Sequence, residues 1–571
     1  MIQKLFSSQV TFKILAALFS EPKKIWSTAE IIKATDKNQT NIQRELEKLQ
    51  KLELVIKESK GKQNFFQINQ ESDFYPPLAD LFAKHQAGQK KFYLLNEEGG
   101  SCLLSVDYML KGFRSDYGIR HGVMREIPEI IAIYKNDYGK YYFEEKVIEN
   151  EAKYLLSKLL DDASFVNKLI YPETIEQGEE AQKILTQLKK KNFKVTKKEM
   201  LALIDKFNEI FYIQVGLNHN AAYDLKDQLY SNYLNDYLQK KIKTSKLNLS
   251  YATEKLLAPE KLTYTQIMKM ELLKLAISGG QGEKIKKIWQ DWQWLNYSYT
   301  GPGLEWDYIK SSFAELQAQS KSELRQELYN LQNNENLVRT EKNKIFQQLK
   351  IDDKHQNFIK ALSLLAYLKI YRKDTAFMIF YINYKILDKL IPELKRTEAL
   401  YLLVNELKQF LAGGQLPTKK ELKNRRLACA YFYGEDHLYV GAETDQILKG
   451  KISETNEDKS HLKILEGTTA CLGRTGDWVS GTVKVINSAN DMSKMEKGDI
   501  LVSYATTPEI LPAMKKAAAI VTDHGGITCH AAIVSRELNL PCLIATKYAT
   551  KIFKDGDKVV VCPRHRYIRF Q

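Results

Sequence analysis

The chain has 571 residues, too many for a single hydrophobic core, so we expect roughly three or four domains. A composition of 44% hydrophobic and 27% charged residues excludes a disordered or fibrous protein. The net charge of +15 leaves nucleic acid or a phosphorylated ligand open as a partner, although a lysine-rich solvated surface is the simpler explanation. No apolar run approaches a membrane span and the amino terminus lacks a signal-peptide pattern, which predicts a cytoplasmic protein without membrane contact. The six cysteines form no CxxC pair, so no metal site is predicted.

The first 72 residues predict three helices followed by a hairpin. Apolar residues spaced by three and four indicate helices over residues 8–20 and 27–35, and a third near 38–51 has Ile42, Leu46 and Leu49 on one stripe. The following residues alternate like a hairpin whose tip is at residues 60–62. Three helices and a basic hairpin resemble the winged helix-turn-helix of bacterial and archaeal regulators.

This resemblance implies duplex DNA as a possible partner. In such domains the third helix enters the major groove and the hairpin lies along the phosphate backbone. The side chains expected to face bases are Gln39, Thr40, Asn41, Gln43 and Arg44, and those expected to face phosphates are Lys57, Lys60 and Lys62. The same pattern also builds protein-interaction modules, so both interpretations stay open.

Residues 73–455 are predicted to be a mainly helical region. It shows no alternation of strands and helices that would indicate a nucleotide-binding sheet, and it contains no Walker motif. A homodimer that forms through this region or through residues 1–72 is a further expectation. A cluster of tryptophans and tyrosines at residues 289–308 favours packing at a helix corner over a stacking site for a base or sugar.

Near residue 456 the pattern changes to short β-rich segments separated by glycine. The sequence predicts strands at 500–503 and 519–523 and a helix at 529–538, as in a compact α/β domain. Residues 522–538 read TDHGGITCHAAIVSREL. This run closely resembles the signature of the phosphohistidine swivelling domain shared by phosphoenolpyruvate synthase, pyruvate phosphate dikinase and enzyme I of the sugar phosphotransferase system.

The resemblance extends over residues 467–562, and the stretches 289–308 and 406–426 are similar to the helical segment that precedes this domain in phosphoenolpyruvate synthase-like proteins. The expected fold is therefore multidomain α+β. It comprises an N-terminal winged helix (1–72), a mainly α-helical middle region (73–455) and a C-terminal β/β/α phosphohistidine swivelling domain (456–571).

The resemblance implies that His530 carries a phosphoryl group. It places His530 in the first turn of a helix, where unpaired amides and the positive end of the helix dipole favour an anion. Gly525 and Gly526 then leave room for a second reactant, Thr528 supplies a hydroxyl, and Arg536 adds a cation. A neutral imidazole is a competent nucleophile near neutral pH.

Further expectations concern the surroundings of this histidine. His524 occupies a position that varies in the motif and is expected to be a solvent-exposed bystander. Complete synthases also carry an ATP-grasp domain and a phosphoenolpyruvate-binding barrel, and neither is recognisable in this sequence. The resemblance thus implies a transferase of phosphorus-containing groups that depends on a separate ATP-grasp kinase or barrel protein. No cofactor is expected to bind stably, and Mg²⁺ with ATP or phosphoenolpyruvate would act through those partners.

Three functions remain open at this point. The first is a phosphoryl-transfer protein that uses His530. The second is a DNA-binding transcriptional regulator in which the phosphohistidine domain serves as a metabolic sensor. The third is a protein whose swivelling domain binds a ligand without transferring phosphate.

Overall fold

The structure is a computed structural model, and the chain divides into two compact units, Met1–Lys91 and Phe92–Gln571. The residues that it describes are 8–20, 24–35, 37–61, 63–79, 92–99, 101–218, 229–243, 245, 247–392, 394–434, 436–441, 443–444, 462–473, 478–487, 489–506, 510–526 and 529–571.

Three helices and a small antiparallel sheet make up the described part of the first unit. The helices are α1 (Gln9–Ser20), α2 (Thr28–Thr35) and α3 (Gln39–Lys51), and the strands are β1 (Trp26–Ser27), β2 (Val55–Lys60) and β3 (Gln63–Ile68). The strands lie in the order β1-β3-β2, and Lys60 pairs with Gln63 at the end of the hairpin. The predicted helices and hairpin are therefore confirmed as elements.

The apolar stripe of α3 forms part of the core of this unit. Ile42, Leu46 and Leu49 are all buried, as their spacing predicts. The helix begins after Asn38, whose side-chain oxygen accepts a hydrogen bond from the backbone N–H of Asn41 at 3.0 Å. This cap satisfies one of the amide groups that a helix start leaves unpaired.

Helices predominate in the second unit up to residue 427. Their bounds are α4 (Leu103–Phe113), α5 (Tyr117–Arg120), α6 (Glu145–Asp161), a π-helical turn (Val166–Ile170), α7 (Tyr171–Lys190), α8 (Lys197–Leu217), α9 (Leu229–Ile242), α10 (Leu249–Leu257), α11 (Tyr264–Ile277), α12 (Glu283–Trp292), α13 (Trp306–Gln317), α14 (Lys321–Gln332), α15 (Asn334–Gln348), α16 (Asp353–Leu390), α17 (Arg396–Ala399), α18 (Val404–Leu411) and α19 (Lys419–Leu427). The prediction of a mainly helical middle region agrees with this arrangement.

The 38-residue helix α16 lies at the centre of this region. It begins after Asp352, whose carboxylate accepts from the backbone N–H of His355 at 3.1 Å. Its side chains are buried on several faces, including Phe358, Phe377 and Phe380, because α7, α8 and α10 all pack against it. A helix that is apolar around most of its circumference is typical of a protein interior.

A five-stranded antiparallel sheet in the same region was not predicted. Its strands are β4 (Phe92–Gly99), β5 (Ile130–Lys135), β6 (Tyr138–Glu144), β7 (Cys429–Phe432) and β8 (His437–Val440), in the order β4-β6-β5-β7-β8. The central strand β5 pairs with β7, almost 300 residues later in the chain. Both strands are short, continuous buried runs without alternation, which periodicity cannot distinguish from pieces of a buried helix.

The C-terminal part contains an eight-stranded mixed sheet. Its strands are β9 (Ile464–Glu466), β10 (Thr468–Cys471), β11 (Val479–Val485), β12 (Ile500–Ser503), β13 (Ala519–Thr522), β14 (Cys542–Ile544), β15 (Lys558–Cys562) and β16 (Tyr567–Phe570). They lie in the order β10-β14-β13-β12-β11-β15-β16-β9, and β11, β12, β13 and β14 run parallel to one another. The helices are α20 (Leu511–Lys516), α21 (His530–Leu538) and α22 (Ala549–Ile552), with 3₁₀ turns at Ala489–Lys494 and Pro563–His565.

Alternate residues of the parallel strands enter two different apolar clusters. In β12, Ile500 and Val502 face one cluster, whereas Leu501 faces the other, which includes Ala532 of α21. The strands are buried on both faces, as is typical of parallel sheets covered by helices. The strand predicted at 500–503 is confirmed. The strand predicted at 519–523 ends one residue earlier, and the helix predicted at 529–538 begins one residue later. Within the described part of the chain, no helix is long and apolar enough to cross a membrane.

Candidate active site

His530 is the first residue of α21, in the segment that follows the parallel strand β13. Cys529 caps the helix, because its sulfur accepts a hydrogen bond from the backbone N–H of Ala532 at 3.4 Å. The expected position of the histidine in the first helical turn is confirmed. The amides of this turn and the helix dipole create a positive potential near the imidazole.

Thr506 orients the imidazole of His530. Its hydroxyl oxygen lies 2.8 Å from Nδ1 of the ring. Thr506 follows β12 and His530 follows the neighbouring strand β13, so both side chains lie beyond the carboxyl ends of adjacent parallel strands, where open α/β sheets commonly bind ligands. Sequence analysis assigned no role to Thr506. The available signal was its place three residues after the predicted strand at 500–503.

The imidazole of His530 is strongly biased toward its neutral form. Burial lowers its pKa well below the ordinary value, and the positive charges of Lys373 and Lys369 lower it further. Both lysines lie on α16 of the helical region. At neutral pH the ring is therefore uncharged and keeps one nitrogen lone pair.

The loop before the histidine requires glycine at residue 525. Gly525 has a φ of +130°, and a Cβ atom there would lie 2.7 Å from the sulfur of Cys529. Gly526 is buried, and its carbonyl accepts from the backbone N–H of Cys529 at 2.9 Å. Both glycines thus shape the backbone before α21, and the expectation that they leave room for a second reactant stays a prediction. Thr528, the predicted hydroxyl donor, lies outside the described residues.

Arg536 does not reach the histidine. Its Nε donates a hydrogen bond to the carbonyl oxygen of Ala470 in β10 at 3.1 Å. Six residues along a helix correspond to a rotation of about 240°, so Arg536 and His530 point in different directions. Arg536 therefore connects α21 to the edge strand of the sheet and is not positioned to contact a phosphoryl group on His530.

The expectation that His524 is solvent-exposed is wrong. The residue is partly buried, its ring centroid lies 4.4 Å from that of Tyr504, and its backbone N–H donates to the carbonyl of Tyr504 at 2.9 Å. Burial, with smaller contributions from Lys551 and Lys547, lowers its pKa to about 4. Its side chain lines the same cavity as His530.

That cavity has a volume of about 190 Å³ and lies between the C-terminal domain and the helical region. The C-terminal side contributes Ala505, Thr506, His524, Gly525, Cys529, His530 and Ala531. The helical region contributes a mostly apolar wall, made of Leu95, Val106, Met109, Leu110, Phe113, Tyr141, Phe143, Phe211, Val215, Tyr299 and Ala376. Three cations from α16, Lys369, Arg372 and Lys373, complete the lining.

The side chains of the N-terminal unit that were predicted to contact DNA are mostly accessible. Gln39, Thr40, Gln43 and Arg44 on α3 are exposed, and Asn41 is partly buried. The side chain of Lys57 on β2 is exposed as well, whereas Lys62 and the side chain of Lys60 lie outside the described part of the hairpin.

Comparison with known proteins agrees with the geometry around His530. The family model described as PEP-utilising enzyme, mobile domain, matches residues 495–565. A probable phosphoenolpyruvate synthase of Archaeoglobus fulgidus is 55% identical over 108 residues, which are 19% of this chain and 14% of that protein. A probable phosphoenolpyruvate synthase of Methanothermobacter thermautotrophicus is 45% identical over 162 residues, 27% of this chain and 23% of that protein.

A phosphoenolpyruvate synthase of Pyrococcus furiosus is 44% identical over 132 residues, 23% of this chain and 16% of that protein. The chain thus matches less than a quarter of the length of each of these three relatives. The described site residues Thr506, Gly525 and His530 all lie within the range that the family model matches. Residues 495–565 of this chain are a PEP-utilising enzyme mobile domain, similar to that of phosphoenolpyruvate synthases.

Proposed function

We propose that this chain is a phosphoryl-transfer protein in which His530 accepts a phosphoryl group from one reactant and passes it to another. The observation that carries the proposal is a neutral imidazole at a helix start, oriented through Nδ1 by Thr506 and facing a cavity with three cations. The similarity to phosphoenolpyruvate synthases supports the same chemistry.

We propose Nε2 as the attacking atom. If the Nδ1 proton is donated to Thr506, the lone pair of Nε2 is available for attack at phosphorus. A bond then forms from Nε2 to phosphorus as the bond from phosphorus to the donor's leaving oxygen breaks. The charge of the phosphoryl group would be stabilised by the first turn of α21 and by Lys369 and Lys373.

We propose that the donor is supplied by a separate ATP-grasp kinase or phosphoenolpyruvate-binding barrel protein. Support comes from the similarity itself, which covers less than a quarter of each of the three phosphoenolpyruvate synthases compared and centres on the mobile domain. Mg²⁺ with ATP, or phosphoenolpyruvate, would then be bound by that partner.

Mass analysis of the protein purified from its native cells tests the proposal. We expect one phosphoryl group on His530 that is labile in acid and stable in base, because a phosphoramidate hydrolyses readily once its nitrogen is protonated. His530→Ala should lose the modification, whereas His524→Ala should keep most of it. Phosphate that persists in the His530→Ala protein would exclude His530 as the carrier.

A second candidate function concerns the N-terminal unit. We propose that residues 1–72 form a winged helix-turn-helix that binds duplex DNA, because α3 presents four exposed polar side chains, Gln39, Thr40, Gln43 and Arg44, beside a basic hairpin. In the full chain, neutralising Lys57, Lys60 and Lys62 together should weaken binding uniformly across sequences, since phosphate contacts carry no sequence information.

Changing Gln43 or Arg44 should instead alter the preference between sequences, because base edges specify a site. Retardation of labelled duplex DNA at low and moderate salt measures both effects. If the full chain retards no duplex at low salt, this unit serves protein contacts and the regulator function is refuted.

A further inference from the structure

The cavity beside His530 has two chemically different parts. Side chains of four elements make the apolar part: Val106, Met109, Leu110 and Phe113 on α4, Phe211 and Val215 on α8, Leu95 on β4, and Tyr141 and Phe143 on β6. The α4 residues follow the spacing i, i+3, i+4 and i+7, and the two β6 residues are separated by two, so α4 and β6 each turn one continuous face to the cavity. The apolar lining is therefore an ordered surface to which four elements contribute.

The cationic part is equally regular. Lys369, Arg372, Lys373 and Ala376 also follow the spacing i, i+3, i+4 and i+7 and lie on one face of α16. The small Ala376 lies next to the cations and leaves space where a longer side chain would project. All three cations line the cavity together with His530. Lys369 and Lys373 act electrostatically on the His530 imidazole, so they lie toward the end where the phosphoryl group would be carried, whereas the Arg372 guanidinium lies over the ring of Phe113, 5.9 Å from its centroid.

We propose that this cavity binds a small molecule with an apolar body and a hydroxyl group, which receives the phosphoryl group of His530 and is held as a phosphate ester by Lys369, Arg372 and Lys373. The inference rests on the proposed function of His530. An apolar body fits the wall that α4, α8, β4 and β6 provide, whereas a small polar acid would leave that wall in contact with water.

The volume sets the size of the ligand. An apolar cavity of roughly 150 Å³ accommodates benzene, and the cavity beside His530 has about 190 Å³. The part of the ligand that enters is therefore one or two rings, or a short aliphatic chain.

The transfer balances without a further reactant. The hydroxyl oxygen of the ligand forms a bond to phosphorus, and the bond from phosphorus to Nε2 breaks with its electron pair returning to the imidazole. The hydroxyl proton passes to water, and Nδ1 keeps its contact with Thr506 throughout. The product carries two negative charges at neutral pH, which three cations can offset.

Calorimetric titration of the full chain with three probes tests the inference. The probes are 2-naphthyl phosphate, which has both parts of the ligand, inorganic phosphate, which has only the head group, and 2-naphthol, which has only the body. We expect 2-naphthyl phosphate to bind at least about ten-fold more tightly than either of the others, because only it engages both parts of the cavity.

Two variants test whether 2-naphthyl phosphate binds in this cavity. Met109→Trp fills the apolar part from a partly buried position and should weaken the binding of 2-naphthyl phosphate by about ten-fold or more. Lys373→Gln removes one cation without filling the cavity and should weaken it by about five- to ten-fold. Lys360→Gln is the matched control, because Lys360 is an exposed lysine on the same helix that does not line this cavity.

Equal binding of inorganic phosphate and 2-naphthyl phosphate would overturn the inference, and so would unchanged binding in both Met109→Trp and Lys373→Gln. A failure of the proposed function can be distinguished from a failure of this inference. The His530→Ala protein should still bind 2-naphthyl phosphate, so selective binding without any phosphorylation of His530 would refute the function while supporting the ligand class. Phosphorylation of His530 in a chain that shows no selective binding would refute the ligand class alone.

Discussion

The replacement Thr506→Val removes the hydroxyl that orients the nucleophile and nearly preserves the volume of the side chain. The Thr506 oxygen lies 2.8 Å from Nδ1 of His530, which is a good hydrogen bond in a partly buried site. A bond of this kind contributes about 1 kcal/mol, and leaving Nδ1 without a partner costs roughly another 1 kcal/mol. Because each 1.36 kcal/mol changes a rate ten-fold, we expect phosphorylation of His530 to slow by about 5- to 30-fold.

Phosphoramidate is a suitable donor for this measurement, because it phosphorylates imidazoles directly and needs no protein partner. The initial rate is followed by mass spectrometry, and the final extent of modification should be unchanged because the nucleophile remains. A second measurement, the ¹⁵N chemical shifts of the His530 ring, should change from one dominant tautomer to a mixture.

Thr482→Val is the matched control, since Thr482 is a threonine of the same domain whose hydroxyl accepts from Lys558 at 2.6 Å, away from the site. It should alter neither the rate nor the spectrum. A rate and a tautomer that are both unaffected by Thr506→Val would refute the assignment of Thr506 as the orienting residue.

Three further predictions concern the same domain. Gly525→Ala should lower the free energy of unfolding by about 1–3 kcal/mol in urea titrations, and by more than the control Gly556→Ala, because both have positive φ but only the Cβ at 525 would meet a neighbour, at 2.7 Å. Equal losses would contradict the close contact with Cys529. The pKa of His524 measured by NMR should be about 4, so between pH 4 and 6.5 the unfolded chain binds more protons at this residue and its contribution to stability falls as the pH is lowered; a midpoint near 6.5 would show that the ring is exposed. Incubation with ATP and Mg²⁺ alone should leave His530 unlabelled, and rapid self-labelling would reveal a kinase site within this chain.

The C-terminal domain was predictable because its signals are local. The strand at 500–503 and the helix at 529–538 are short, strongly patterned and separated by glycine-containing loops, so periodicity located them within about a residue. His530 could be identified for the same reason, since its motif is contiguous in the chain.

The rest of the site could not be predicted because it depends on contacts between distant segments. Lys369 and Lys373 precede His530 by more than 150 residues, and in the sequence they are only two of many lysines on a helix. The five-stranded sheet that carries Tyr141 and Phe143 was missed because β5 pairs with β7, almost 300 residues later in the chain, and no local pattern indicates that pairing. Arg536 was assigned by its proximity in sequence, although six residues along a helix turn it away from His530.

The contacts of His530 belong to two different parts of the molecule. Its hydrogen bond to Thr506 lies wholly within the C-terminal domain, whereas Lys369 and Lys373, two of the causes of its lowered pKa, lie on α16 of the helical region. If this domain leaves the cavity to meet a donor, the histidine keeps its hydrogen bond to Thr506 but is rehydrated and loses both neighbouring charges, so its pKa rises back toward the ordinary value for histidine. With such a movement, the protonation of His530 would report the position of the domain, because docking would release the proton that the rehydrated ring takes up in mildly acidic solution.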